Sequence, residues 1–295
     1  MTETVPLETS RLDVWSTLLR IGDEDWVVDA VRDLERLGYH TVWLPGREAG
    51  PGPDVFAVSR LILQSTSRLN VATGILNIWA LDAAYVARAA ATLLTDFPGR
   101  FLLGLGVSHA PTVEGLGFDY SHPLGAMRDY LDALDASETP VPQPDRLLAA
   151  LRPGMLRLSR DRTAGAHPYL TMPEHTAAAR VELGPSPLLV PEQGVVLMDD
   201  PGEGRAVART FFTRYQSLPN YTENLQRFGF SADDVLGEAS DRLIDRLFRH
   251  GSPAEVVSGL EEHLTAGADR VAVQVLGTDP QEAQRSWRAI AAELH

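Results

Sequence analysis

The chain contains no cysteine and no lysine. Without cysteine there can be no disulfide, thiolate nucleophile, zinc–thiolate site or iron–sulfur cluster. Without lysine there can be no Schiff base, pyridoxal phosphate anchor or P-loop lysine. All 26 basic residues are therefore arginines, and 40 acidic residues outnumber them, for a net charge of −14. That balance lacks the basic surface nucleic-acid binding requires. No window reaches the ~18 uninterrupted apolar residues of a membrane span. Met1–Ser10 has neither the basic start nor the apolar run of a secretory signal. A soluble, cytoplasmic protein is expected, without nucleic-acid or membrane partners. What is present is 44% hydrophobic and 22% charged over 295 residues. That is ordinary globular composition, and long enough for a large core. One domain spanning 1–295 is expected.

Short apolar runs alternate with helical patterns. Strand one is Leu12–Leu18, and a helix over Asp25–Leu37 stops at Gly38. Thr41–Leu44 is strand two, and Asp54 begins a helix running to about Ser67. Leu69–Leu76 is strand three, Asp82 caps a helix to Asp96, and Phe101–Val107 is strand four. Leu12, Thr41, Leu69 and Phe101 are equivalent points, separated by 29, 28 and 32 residues. That period fits βαβ units with right-handed crossovers. Weaker strands follow at Leu147–Leu151, Ala166–Leu170 and within Leu188–Met198. A clean last strand lies at Arg270–Leu276. Eight such units predict an α/β fold, a TIM (β/α)8 barrel. An open doubly wound sheet is the alternative, but no Gly-rich dinucleotide fingerprint follows strand one. Between the last two strands, 199–269 reads as an entirely helical insertion. Its position places it over the barrel mouth, where active sites sit.

Candidate functional residues lie at the strand ends: Trp15, Arg47, Gly74 to Trp79, Gly106 to His109, His167, Tyr169 and Glu192. They include no carboxylate cluster suited to a metal. His109 is a candidate acid/base, or alternatively a loop-fixing residue. His167 and Tyr169 share a strand face, as site residues or as a hydrogen-bonded core pair. Trp15 and Trp79 could wall a ligand or pack the core. Glu192 is a costly buried charge or a solvated strand end. Gly104 and Gly106 would let a flat ligand approach strand four.

Four segments together resemble the luciferase-like flavin and deazaflavin oxidoreductases. They are Phe101–His109 (strand four), Arg68–Asn77 (strand three), Gly38–Pro45 (strand two) and Ala266–Gln274 (last strand). Leu218–Asn224 and Ser240–Asp245 are similar to an actinobacterial subgroup that uses coenzyme F420. The resemblance implies a barrel of the bacterial-luciferase type carrying an isoalloxazine-like ring over its mouth. It also implies a bulge or non-proline cis peptide near Gly74-Ile75-Leu76. The implied cofactor contacts are Gly74, Ile75, Leu76, Asn77, Gly106, Ser108, His167 and Tyr169, with a phosphate site near Thr171, Met172, Gln193 and Gly194. Trp15, Arg47, Trp79, Glu192, Asn220 and Tyr221 would line the substrate pocket, with the insertion closing over it. The chain departs from the family pattern at the end of strand two. Pro45-Gly46-Arg47 stands where deazaflavin dehydrogenases carry an acid/base histidine, which disfavours sugar-phosphate chemistry.

The expected activity is an F420-dependent oxidoreductase passing hydride between the deazaflavin and a small organic substrate, with His109 moving the proton. An FMN-dependent monooxygenase and a non-catalytic flavin-binding barrel are the alternatives. The resemblance also implies a homodimer.

Overall fold

Aspartates fix where the helices begin. Asp23, Asp54 and Asp82 each sit in non-helical conformation and accept backbone N–H groups of the turn they precede. This satisfies donors that have no partner within the helix. Gly38 closes the first long helix, Glu24–Leu37, in a left-handed conformation (φ 88°) that costs glycine nothing. A computed structural model describes residues 8–46 and 53–294.

The strands are β1 (Leu12–Trp15), β2 (Thr41–Leu44), β3 (Asn70–Thr73), β4 (Leu76–Asn77), β5 (Phe101–Gly106), β6 (Arg146–Leu148) and β7 (Gly165–Ala166). They continue as β8 (Leu188–Leu189), β9 (Glu192–Leu197), β10 (Arg249–Gly251) and β11 (Val271–Val275). The order is β10-β9-β11-β1-β2-β3-β5-β6-β7-β8, with β4 beside β5, and every pairing is parallel. β8 and β9 are two halves of one segment interrupted at Val190-Pro191. The first half pairs with β7 and the second with β11. The row of strands therefore closes on itself, as a TIM-like barrel requires. Trp43, Ala72, Leu147, Val190 and Ala272 fill its interior. Helices such as Glu24–Leu37 and Pro280–Glu293 pack together around the outside.

Three expectations are corrected. The strand-one run stops at Trp15, and Leu18–Ile21 turns into a short helix. Strands five and six end early, at Leu148 and Ala166, so 149–151 and 167–170 are irregular backbone. The stretch 199–269 is not wholly helical. Pro201–Phe212, Pro219–Arg227, Ala232–Val235 and Asp241–Leu247 form a helical cap with its own core around Phe212, Leu225, Leu243 and Phe248. β10 then rejoins the sheet beside β9, and Pro253–Thr265 packs against Pro280–Glu293 in the outer ring.

Candidate functional site

The site begins with a register slip between β3/β4 and β5. Val71 and Ala72 pair with Phe101 and Leu102, an offset of 30, whereas Leu76 and Asn77 pair with Leu105 and Gly106, an offset of 29. One residue of strand three is left over, as in a β-bulge. The surplus is taken up around a cis peptide bond between Gly74 and Ile75, where the family resemblance implies one. The glycines of strand four make room for this bulge. A Cβ on Gly104 would lie 1.9 Å from Thr73 O, and one on Gly106 would lie 2.4 Å from Ile75 Cδ1. Their bareness therefore accommodates the chain itself, which corrects the expectation that it admits a ligand directly. Trp15 Nε1 donates to Gly74 O at 3.0 Å and holds the bulge from the opposite side.

Above the bulge opens a cavity of about 720 Å³ at the C-terminal mouth of the barrel. Trp15, Gly74, Ile75, Asn77, Gly106, Ser108, His109, His167 and Tyr169 line it from the barrel side. Tyr215, Asn220 and Tyr221 line it from the helical cap. His109 Nδ1 lies 3.3 Å from Asn220 Oδ1, and its ring centroid is 5.3 Å from that of Tyr221. Tyr169 donates to Gln274 Oε1 at 2.9 Å and lies 3.0 Å from Tyr215 Oη. A phenol has one proton, so with that of Tyr169 committed to Gln274, Tyr215 donates to Tyr169. Burial pushes both phenols up, and they stay neutral at physiological pH. Ser108 adopts φ 57°, and its carbonyl accepts the Tyr120 hydroxyl at 2.9 Å. At the rim, Arg152 pairs with Glu223 and so ties the barrel side to the cap.

His167 lies deep in the cavity wall, buried face to face with Trp43 at 4.0 Å and 12°. Its Nδ1 is 2.7 Å from Val190 O, and burial pulls its pKa down to about 4. It does not bond Tyr169, so of the two alternatives the hydrogen-bonded core pair is absent. Glu192 is buried rather than solvated. Desolvation pushes its pKa up to about 8, although Leu170 N–H donates to Oε2 at 2.9 Å.

Several expected contacts do not line the cavity. Leu76 is buried in the main core, and Trp79 turns its Nε1–H onto Val107 O beside Phe118 and Tyr120. Glu192 lies behind Leu170. The residues expected at a phosphate do not line this cavity either. Thr171 is buried, and Met172 packs into the core of the cap. Gln193 is occupied by Gly194 O, Leu247 O and His263, and Gly194 sits under the Phe248 ring. Arg47 lies outside the described residues. Sequence reasoning missed Tyr120, Tyr215 and Glu223, which reach the cavity from connections and a cap helix with no strand-end signal, and Arg152, which directly follows the expected strand Leu147–Leu151.

Known proteins can be set beside this geometry. A 5,10-methylenetetrahydromethanopterin reductase from Methanolobus tindarius is 25% identical over 100 residues, 34% of this chain and 30% of that one. The chain spans about a third of the length of the curated relatives it matches. Among solved structures, an F420-dependent secondary alcohol dehydrogenase bound to an F420–acetone adduct superposes with TM-score 0.73. It is 15% identical and is covered over 97% of this chain and 99% of that one. The oxygenating constituent of 3,6-diketocamphane monooxygenase from Pseudomonas putida, in complex with FMN, gives 0.70 at 15% identity over 98% of each. Those likenesses show the barrel fold. The luciferase-like monooxygenase model matches residues 14–270, nearly the whole barrel with its bulge and mouth cavity, and the chain belongs to that family.

Proposed function

We propose that the protein is a coenzyme F420-dependent oxidoreductase that transfers hydride between the deazaflavin and a small organic substrate. The observation that carries this reading is the mouth cavity, which is backed by the Gly74–Ile75 bulge and has His109 on its wall. A volume of about 720 Å³ lies within the range for small-molecule and cofactor sites, roughly 300–1,000 Å³. It can take a flat tricyclic ring and a small substrate together. The residues present fit such a ring: Ile75 and Trp15 offer apolar surface, and behind them the buried His167 Nε2 has no hydrogen-bond partner among the described residues. When bound, the deazaflavin would supply the two-electron hydride chemistry.

The chain's own part is positioning and proton transfer. Asn220 Oδ1 lies 3.3 Å from His109 Nδ1, so a proton on Nδ1 would donate to it. The imidazole would take the proton of a substrate alcohol, and the imidazolium would return one to a developing alkoxide in the reverse direction. Tyr215, Tyr221 and the cap helices would limit water around the substrate.

The FMN-bound monooxygenase neighbour supports a second reading, oxygen activation on FMN. Equilibrium dialysis against coenzyme F420 and FMN, with oxygen uptake measured for each, separates the two. Tighter F420 binding without oxygen uptake is expected. Tighter FMN binding with oxygen consumption would reverse the assignment.

A further inference from the structure

Four phenols line the mouth cavity: Tyr120, Tyr169, Tyr215 and Tyr221. Three of them give their proton to the protein. Tyr120 donates to Ser108 O, Tyr169 to Gln274 Oε1 and Tyr215 to Tyr169. The Tyr221 hydroxyl has no hydrogen-bond partner among the described residues, although the residue is only 6% exposed. Buried atoms without a partner, such as His167 Nε2 and Glu192 Oε1, are closed off from solvent; the Tyr221 oxygen is not. Its ring sits among those of His109, Tyr215 and Tyr169, at 5.3, 5.3 and 6.3 Å, so the surface it keeps is on the cavity. The oxygen itself points inward. Burial raises its pKa most, and the Tyr215 hydroxyl, the Glu192 carboxyl and the Tyr120 hydroxyl are near enough to raise it further. The phenol therefore stays protonated. Buried polar groups are nearly always paired, and an unused donor calls for an explanation. The helical turn that carries it also carries Asn220, which lies against His109.

We infer that Tyr221 Oη donates a hydrogen bond to the reacting oxygen of the substrate, which is a carbonyl compound or the corresponding alcohol. A carbonyl oxygen has two lone pairs and can accept from Tyr221 and from the His109 imidazolium together. In the reducing direction hydride adds to the carbonyl carbon, the π pair moves onto oxygen, and His109 supplies the proton. Tyr221 keeps its own proton, and its hydrogen bond strengthens as charge develops on that oxygen. A substrate reduced at an isolated carbon–carbon double bond would leave this donor unpaired. Leu124, Leu151 and Met155 give the cavity an apolar wall, so the rest of the substrate is apolar. The inference rests on the reading of this cavity as a site of hydride transfer.

The test uses the whole protein loaded with oxidised coenzyme F420, which cannot reduce a ketone. Two probes of one shape, cyclohexanone and methylenecyclohexane, are titrated into the wild type and Tyr221→Phe. The hydroxyl has no protein partner, so the variant should melt like the wild type and bind F420 equally. Its affinity for the ketone should fall by ~3–10-fold, while that for the hydrocarbon changes by under ~2-fold. Infrared difference spectra of the ketone labelled with 13C at the carbonyl supply a second readout independent of turnover. The carbonyl band should lie at lower frequency in the wild type than in Tyr221→Phe. Equal losses for the two probes, an unmoved carbonyl band, or a ketone that does not bind the loaded wild type overturns the inference and leaves the hydride-transfer reading standing. A variant that melts lower or fails to fold gives the hydroxyl a structural role and also overturns it. Failure of F420 to bind the wild type overturns both.

Discussion

His109 Nδ1 lies 3.3 Å from Asn220 Oδ1, and the two residues come from parts of the chain 111 positions apart. His109 immediately precedes the short helix Ala110–Gly115 after β5, and Asn220 lies in the first turn of Pro219–Arg227. The contact joins the barrel rim to the helical cap. The proposed proton-transfer group therefore takes one of its hydrogen-bond partners from the cap.

His109→Asn removes the titratable group and keeps a polar side chain of modest size. A general acid–base catalyst is typically worth ~10²–10⁴ in rate. A fall in kcat of that order is expected, with cofactor affinity within about threefold of wild type. A drop in kcat under ~3-fold, at saturating cofactor and with an unchanged melt, would exclude His109, because it corresponds to only ~0.65 kcal/mol of barrier.

Asn220→Asp places a carboxylate where an amide oxygen now faces the imidazole. An adjacent negative charge favours the imidazolium. The limb of the kcat/KM pH profile that belongs to His109 should move up by about 1 unit, with little change in fold stability. Asn220→Leu should lower kcat without that displacement. Superimposable pH profiles for wild type and Asn220→Asp would show that the two side chains are not coupled.

Gly104→Ala and Gly106→Ala should differ in kind. At Gly104 the new methyl meets backbone, Thr73 O at 1.9 Å, so the strand pair itself must move. At Gly106 it meets a side chain instead, Ile75 Cδ1 at 2.4 Å and Cγ1 at 2.7 Å, so Ile75 must change rotamer while the strand backbone stays. Overpacking of a fitted interior costs typically 1–3 kcal/mol and sometimes more. Gly104→Ala should fall at or beyond the upper end of that range in chemical denaturation. Gly106→Ala should be milder in stability and weaken ring binding by pushing Ile75 into the cavity. Equal melts for the two variants would contradict this account of the strand-four glycines.

Much of this frame was legible because it is local. Asp54 and Asp82 announce helix starts, Gly38 a stop, and the apolar runs at Thr41–Leu44 and Phe101–Gly106 carry their own strand signal. The bulge was not legible from composition, since the slip exists only in the pairing of Leu76 with Leu105; the family resemblance alone pointed near Gly74. That Gln193 and Gly194 are turned away from the mouth cavity was not legible, because their partners, Leu247, Phe248 and His263, are more than 50 residues away. Arg249–Gly251 has no apolar run, so nothing in it marks a strand. Asn220 and Tyr221 line the cavity from the cap.

The protein should be acid-labile at a mild pH. His167 and His175 are pulled to about 4 and His263 to about 3 by burial, against 6.5 for a free imidazole. The unfolded chain protonates all three as pH falls below 6.5, while the native state does not. Their contribution is therefore fully present above about 6.5 and lost toward pH 4. Each accounts for about 1.4 kcal/mol per pH unit within the window, and Glu192 acts with opposite sign. A net slope of roughly 2–3 kcal/mol per unit is large against a typical total stability of about 5–15 kcal/mol. Denaturant titrations between pH 7 and 4.5 should show this fall. A flat profile would mean that these imidazoles protonate without unfolding the chain.

On the alkaline side the controlling group is Glu192. Burial pushes its carboxyl from 4.5 up to about 8, and the single donor to it, Leu170 N–H, does not reverse this. The native state then keeps a proton that the unfolded chain has already released. Stability from this group is fully present below about 4.5 and is lost as pH rises to about 8, at about 1.4 kcal/mol per unit. Above pH 7 the three buried histidines are neutral in both states and add no slope, so the interval from 7 to 8.5 isolates Glu192. Glu192→Gln keeps the shape, and an oxygen to accept Leu170 N–H, but cannot ionise. The variant and the wild type should therefore have similar midpoints near pH 5. They should diverge steadily toward pH 8.5, with the variant the more stable. Parallel curves across that interval would mean that Glu192 ionises normally in the folded protein. The carboxyl would then have to find water or a cation beside Leu170.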